Sequence, residues 1–111
     1  MTGFIQVVTT VGDKDTAQQI ARALVEQRLA GCVQVIGPIT STYWWNEQVE
    51  SAEEFLCLIK TRADVFDRLA AAIRAVHPYD VPEILALPVT AGGVSYLDWL
   101  NREIRPSGGA G

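Results

Sequence analysis

The stretch that decides the fold is residues 32–61, CVQVIGPITSTYWWNEQVESAEEFLCLIKT. It is rich in β-branched and aromatic residues on both sides of Asn46-Glu47, and Asn favours a tight hairpin turn, whose type Gln48 leaves open. Gly37-Pro38 interrupts the first half, and because proline has no amide hydrogen to donate we expect a bulge or kink there. The stretch therefore predicts one unusually long hairpin, whose aromatic tip at residues 43–45 extends beyond the body of the sheet.

The segment before the hairpin changes from a strand pattern to a helix pattern. Residues 4–10 are β-branched and almost continuously apolar, which predicts a central strand buried on most of both faces. Apolar side chains recur at steps of three and four over residues 17–29, which predicts an amphipathic helix. We expect Asp13 or Asp15 to cap its start and Gly31 to end it.

The segment after the hairpin repeats this order. A second helix is predicted from about residue 64, with an apolar stripe that runs to Val76, and the two prolines of residues 77–82 then require a loop. Residues 83–88 form the predicted fourth strand, and Ser95 with Asp98 resembles the capping box of a short terminal helix. The order β-α-β-β-α-β predicts an α+β, ferredoxin-like sandwich.

Length and charge limit the function classes. At 111 residues the chain has the size of one domain, residues 1–111, which we expect to be ordered over about residues 3–105 with a flexible tail at residues 106–111. Hydrophobic residues make up 49% of it, and surplus apolar sequence in a small chain often ends in a subunit interface. The net charge of −4 argues against nucleic acid, because a phosphate backbone attracts clustered Lys and Arg.

Cysteine usage and the chain start favour the cytoplasm. Cys32 and Cys57 are too few for a disulfide framework, and we expect both thiols to be reduced and buried. Residues 1–3 do not begin the pattern of a signal peptide. The longest uncharged stretch, residues 29–46, contains glycine, proline and hydroxyl residues, so we expect no membrane span.

Five segments together resemble the CutA divalent-cation tolerance family, in the family's order and over nearly the whole chain. They are Ala30-Gly31-Cys32-Val33, Ile39 to Trp45, Leu58-Ile59-Lys60-Thr61, His77 to Glu83, and Tyr96-Leu97-Asp98-Trp99. The resemblance implies a ferredoxin-like subunit that forms a homotrimer through the strand edges of its long hairpin and its C-terminal segment. It also implies a metal-ion response function, with Cu²⁺ or a small ligand bound in the clefts between subunits.

The hairpin tip supports the trimer on physical grounds. A buried Trp or Tyr removes about 150–250 Å² of surface from water, more than a protruding tip of so small a domain can hide alone. An uncovered strand edge is also a template for aggregation. A closed trimer covers the edge together with the aromatic residues of the tip, which are Tyr43, Trp44 and Trp45.

The resemblance also implies a cleft site. The family places the His77 loop near a cleft between subunits, and the residues expected to line it are Cys32, Lys60, Tyr79, Asp80 and Glu83. Lys60 either pairs there with an anion or with Glu83, or ends its strand and reaches solvent. The carboxylates of Glu53 and Glu54 are expected to belong to a solvated segment.

His77, the only histidine, is the candidate metal ligand, with Cys32 or Glu83 as its partner. The alternative is that His77 hydrogen-bonds the loop backbone, and a transition-metal site usually needs at least three clustered ligands. Family members proposed to bind copper carry a Cys in the first strand and a second His before His-Pro-Tyr. Here these positions are Thr9 and Val76, which are poor ligands.

Two other function classes are less well supported. A PII-like trimeric signalling protein, which binds a nucleotide or metabolite and docks on a partner, is the second hypothesis. It needs a long flexible loop where this chain has a stiff aromatic hairpin. No nucleophile elbow, P-loop, paired-Cys zinc pattern or H-E-x-x-H motif occurs, so we do not expect an enzyme.

Overall fold

Four strands and three α-helices form the part of the chain that the computed structural model describes, residues 2–105. The strands are β1 (Phe4–Val11), β2 (Cys32–Trp45), β3 (Gln48–Arg62) and β4 (Leu85–Pro88). The helices are α1 (Lys14–Glu26), α2 (Phe66–Val76) and α3 (Val94–Glu103), and a 3-10 turn at Ala63–Val65 precedes α2. The α+β fold and the β-α-β-β-α-β order with a terminal helix are confirmed. The tail predicted at residues 106–111 lies outside the described residues.

The sheet is antiparallel, with strand order β2-β3-β1-β4. β1 pairs with β3 along its whole length and with β4 on its other side, so its predicted central position is confirmed. The register between β2 and β3 shifts between Ile36 and Ile39, which confirms the predicted irregularity at Gly37-Pro38. A Cβ atom at Gly37 would lie 2.5 Å from Cδ2 of Phe55, so glycine is required where the bulge crosses that ring.

The hydrophobic core lies on only one face of the sheet, between the sheet and helices α1 and α2. Side chains alternate between the two faces of a strand, and the inward set is fully buried. It includes Val7, Val11, Ile20, Leu24, Ile59, Leu69 and Ile73. Within one chain β1 is fully buried on the helix-covered face and mostly half-buried on the other, so the expectation that it is buried on most of both faces is met only in part.

The other face, which we call the open face, is also apolar. By strand register its apolar side chains are Val8, Ile36, Leu56, Leu58, Leu85 and Leu87, and the polar residues Gln6, Thr10, Gln34 and Lys60 share the face with them. Leu85 is 57% exposed and Ile36 and Leu87 are each 46% exposed. Helix α3 packs only near one end of this face, where Leu100 and Ile104 meet Phe4.

The start of α1 is as predicted, but its end is not. Oδ1 of Asp13 accepts the amide hydrogen of Thr16 at 2.7 Å, which confirms the cap. The helix ends at Glu26, because Arg28 takes a left-handed conformation (φ 61°) and turns the chain early. Gly31 has a different role: a Cβ atom there would lie 2.4 Å from Cδ1 of Leu100, so glycine lets α3 approach.

Three smaller expectations fail at element ends. α3 begins at Val94 after Gly93 and no side chain caps it, so Ser95 lies inside the first turn. β4 begins at Leu85 rather than residue 83. Val76, expected on the buried stripe of α2, is 48% exposed because the helix ends there, and the stripe is buried only over Leu69, Ala70 and Ile73. Across residues 2–105 there is no helix with the length and apolar character that a membrane crossing requires.

Candidate functional site

A cavity of about 480 Å³ lies between the hairpin tip and the loop after α2. We call it the tip cavity. Its wall combines carboxylates with aromatic rings, and none of its described lining residues is basic. The carboxylates are those of Glu50, Glu54, Asp80 and Glu83, and the rings are those of Tyr43, Trp45 and Tyr79.

The hairpin places one side of this wall. Tyr43 pairs with Glu50 across the β2–β3 ladder, so ring and carboxylate lie side by side on the same face. Glu54 is four residues further along β3 and therefore points to that face as well. The turn that closes the hairpin has Asn46 and Glu47 both in the left-handed region (φ 50° and 62°), as a type I′ turn requires.

A hydrogen bond joins the two sides of the cavity. The hydroxyl of Tyr79 donates to Oε2 of Glu54 at 2.8 Å, and Glu54 is only 8% exposed. Burial, and secondly the hydrogen bond and charge of Glu54, raise the pKa of Tyr79 to about 12. The phenol therefore keeps its proton at neutral pH and holds the buried carboxylate as an acceptor. No Lys or Arg forms an ion pair with Glu54 among the described residues.

His77 positions the Tyr79 loop. It is buried, and its Nε2 lies 2.8 Å from the carbonyl oxygen of Thr10, which can only accept, so Nε2 carries the proton. Nδ1 is then unprotonated and accepts the amide hydrogen of Tyr79 at 3.1 Å. Both ring nitrogens are used by backbone groups, and neither is left for a metal. The structure thus favours the alternative role for His77.

The structure brings together only part of the predicted cleft. Tyr79, Asp80 and Glu83 line the tip cavity. Lys60 instead donates to Oε1 of Gln6 and is the ladder partner of Cys32.

Cys32 and Lys60 lie at the other end of the sheet. The step along β1 from Gln6, beside Lys60, to Thr10, beside His77, is four residues, or about 13 Å. Cys32 and His77 therefore do not meet within one chain.

The structure also shows the surroundings of the two cysteines and of Thr9 and Val76, the positions where family members proposed to bind copper carry Cys and His. Cys32 and Cys57 are both free, but only Cys57 is buried, which raises the pKa of its thiol to about 11. Thr9 is fully buried with an unpaired hydroxyl, and Val76 faces solvent. In residues 2–105 no three His, Cys, Asp or Glu side chains are arranged to hold a metal ion.

The sequence did not predict that residues of the β2–β3 hairpin line the cavity. Glu54 was expected in a solvated segment, but it is buried under Tyr79. A signal was present: Glu54 is in phase with the apolar residues Leu56 and Leu58, which places it on the open face rather than in solvent. Its partner, Tyr79, comes from a loop whose path the pattern does not predict.

Comparison with known proteins identifies the family to which the chain is similar. The model of the CutA1 divalent ion tolerance protein family matches residues 5–103. "Divalent-cation tolerance protein CutA" of Thermus thermophilus is 47% identical over 94 residues, which cover 85% of this chain and 91% of the relative. "Protein CutA" of Homo sapiens is 44% identical over 93 residues, covering 84% and 52%. The chain thus spans about half the length of the human relative.

Solved structures agree. The Cut A1 protein of Thermus thermophilus superimposes with a TM-score of 0.90 at 43% identity, over 92% of this chain and 99% of that one. CutA1 of Oryza sativa gives a TM-score of 0.92 at 38% identity, over 96% and 100%. With the family model matched over almost the whole described region, the chain belongs to the CutA1 divalent ion tolerance family.

Proposed function

We propose that this protein is a homotrimeric divalent-cation tolerance protein that acts by binding a cation in clefts at its subunit boundaries, without catalysing a reaction. The single observation that carries the proposal is the incompletely covered apolar open face together with the exposed hairpin tip. Trp44 is 73% exposed and Trp45 is 51% exposed in a single chain. Exposed apolar surface of this kind marks an interaction site.

The sequence pattern of β1 supports a second copy as the occupant. β1 is nearly continuous in apolar character, as strands covered on both faces are, yet helices cover only one of its faces. Val8 and its ladder partner Leu58 on the open face are the kind of residues that fill a core. A neighbouring subunit supplies the missing cover.

The long edge of β2 supports a closed assembly. β2 lies at the edge of the sheet over Cys32–Trp45 and leaves a row of backbone groups without a ladder partner on that side. Threefold closure pairs such edges and stops further growth. A flexible loop of the PII type is not seen, because the β2–β3 ladder continues to the pair of Trp45 and Gln48.

The chemistry of the tip cavity supports a cation as the ligand. Its carboxylates lack basic partners among the described lining residues. Cys32 and Lys60 can join such a cleft only from another subunit, given their distance along the sheet from His77. The names of the relatives carry the link to divalent cations. Cytoplasmic residence stays a prediction.

Native mass spectrometry of freshly purified protein tests the assembly and its retained ligand together. We expect a complex of three 12.1 kDa subunits. Sedimentation equilibrium should give the same mass at micromolar concentration. A folded monomer in both measurements would refute the trimer.

Calorimetric titration with Cu²⁺ tests the role of His77. We expect the binding heat of His77→Gln to equal that of the unchanged protein, because both ring nitrogens already bond backbone groups. A copper affinity that falls in this variant while its circular dichroism is unchanged would restore His77 as a ligand.

A further inference from the structure

We propose that the ring of His77 is a pH-sensitive latch for the loop after α2, residues 77–84. The latch is closed while the ring is neutral and opens when a second proton, taken from solvent, binds Nδ1. Acidification then releases the backbone amide of Tyr79 and loosens the loop from β1 and β3. The inference goes beyond the proposed function, because it concerns a movement within one subunit and does not depend on the number of subunits.

The closed loop uses both nitrogens of the buried ring. Nε2 donates to the carbonyl oxygen of Thr10 on β1 at 2.8 Å, and Nδ1 accepts the amide hydrogen of Tyr79 at 3.1 Å. A second proton must bind at Nδ1, because Nε2 already carries one. Nδ1 would then be a donor that faces another donor. The charged ring and the closed loop therefore exclude each other.

Tyr79 joins the ring to the rest of the sheet. Its own ring lies against the imidazole, with centroids 4.8 Å apart, and its hydroxyl donates to Oε2 of Glu54 on β3 at 2.8 Å. Pro78 and Pro82 have no amide hydrogen, so the loop depends on its remaining amides for attachment. Releasing the Tyr79 amide therefore frees the residue that connects the loop to two strands.

The surroundings determine the direction of the response. His77 is buried, and a charged ring is costly in a buried site that offers no acceptor at Nδ1, whereas an opened loop brings the ring to water. Protonation thus favours the open loop, so the closed loop is complete at higher pH and is lost as the pH falls. Histidine side chains change charge between about pH 5 and pH 8.

The titratable groups around the loop are mostly acidic and do not oppose a positive ring. Glu54 and Asp13 both act on the hydroxyl of Tyr79, and the cation in the last turn of α2, Arg74, is exposed. By element, the groups are Asp13, Lys14 and Asp15 at the start of α1, Tyr43 on β2, Glu54 on β3, Arg74 on α2, and Tyr79, Asp80 and Glu83 in the loop itself.

NMR of the intact protein with isotope-labelled tyrosine tests the latch. The chain has three tyrosines, and Tyr79→Phe, which keeps the amide, assigns the Tyr79 signal by its disappearance. Between about pH 8 and pH 5 we expect solvent exchange of this amide, corrected for its intrinsic pH dependence, to quicken about tenfold as its hydrogen bond is lost. The change should follow the imidazole signals of the single histidine.

Tyr43 and Tyr96 are internal controls, and their amides should not quicken. Equal quickening of all three amides would show a general loosening and overturn the proposal. So would a Tyr79 amide that stays protected down to about pH 5, whether or not the imidazole signals show that the ring has become charged.

Two variants separate His77 from the nearby carboxylate. Glutamine at position 77 can donate to Thr10 and accept from Tyr79 but does not titrate, so we expect His77→Gln to abolish the pH response of the Tyr79 amide. Glu54→Gln keeps an acceptor for the hydroxyl of Tyr79 and should retain the response. A response that survives in a folded His77→Gln protein, or that disappears in Glu54→Gln, would refute His77 as the proton acceptor. If His77→Gln does not fold, Glu54→Gln and the titration of the unchanged protein still decide.

Discussion

The two faces of β3 have similar sequences and very different surroundings. Cys57 and Ile59 point to the helix-covered face and are fully buried, whereas Leu56 and Leu58, between and beside them, are only partly covered. Both pairs are apolar, so the residue types alone do not explain the difference. The comparison shows that the chain encodes two cores: one that a single chain completes with α1 and α2, and one that it leaves for other chains.

The strongest test of the second core is a charge on the open face. We expect Leu56→Asp to dissociate the trimer, because each subunit would bury an unpaired carboxylate at a cost of about 3–5 kcal/mol. Glu54 two residues away adds repulsion rather than a partner. Sedimentation velocity should show a monomer that retains its far-UV circular dichroism.

One result for Leu56→Asp would contradict the assignment of the open face as a second core. If the variant remains a trimer of unchanged stability, the open face is not an interface. Leu56→Met serves as the control, since it keeps an apolar side chain of similar volume and should remain trimeric.

The corresponding test of the first core is Ile59→Ala. Ile59 has no exposed surface, and truncating such a side chain leaves a cavity that costs about 2–5 kcal/mol. We expect a lower guanidinium midpoint at fixed protein concentration and an unchanged subunit number. A shift in subunit number without a loss of subunit stability would mean that the two faces have been assigned the wrong way round.

The elements of the fold follow from sequence because their signals are local. The period of the apolar residues predicted α1 and α2, and proline at Pro38 predicted the break in β2. Element ends were predicted less well, since they depend on contacts from far along the chain. Gly31, for example, looked like a helix stop, but its lack of a side chain serves the approach of Leu100.

The site was only half predictable for the same reason. The resemblance pointed to Tyr79, Asp80 and Glu83, which do line one cavity. It also pointed to Cys32, which lies at the far end of the sheet. The role of His77 depends on the Thr10 carbonyl, 67 positions away in sequence, and no periodicity encodes that contact.

A smaller effect is expected at the hairpin turn, which belongs to neither core of a single chain. Glu47 has φ 62°, a conformation that costs a residue with a Cβ atom about 1 kcal/mol and glycine almost nothing. Glycine loses more chain entropy, so we expect Glu47→Gly to gain about 0.5 kcal/mol. Urea unfolding measures it, and Glu50→Gly, in the regular strand, should instead lower stability.

The smallest effect that we expect is on the pH dependence of stability, and it comes from the Asp13 cap of α1 on the helix-covered face. The hydrogen bonds that the Asp13 carboxylate accepts from the backbone amide and the hydroxyl of Thr16 hold its pKa below the ordinary value of 3.8. A lowered pKa in the folded state means that the contribution is complete above the unfolded value and is lost as pH falls through the folded one.

Asn at this position still caps a helix but does not titrate. We therefore expect the melting temperature of Asp13→Asn to fall less between about pH 5 and pH 3 than that of the unchanged protein. Asp15→Asn is the matched control, because in residues 2–105 its carboxylate accepts none of the assigned side-chain hydrogen bonds at this helix start. Equal slopes for the Asp13 variant and the unchanged protein would mean that water already replaces this cap. The stability of the covered face at low pH would then depend on its packing alone.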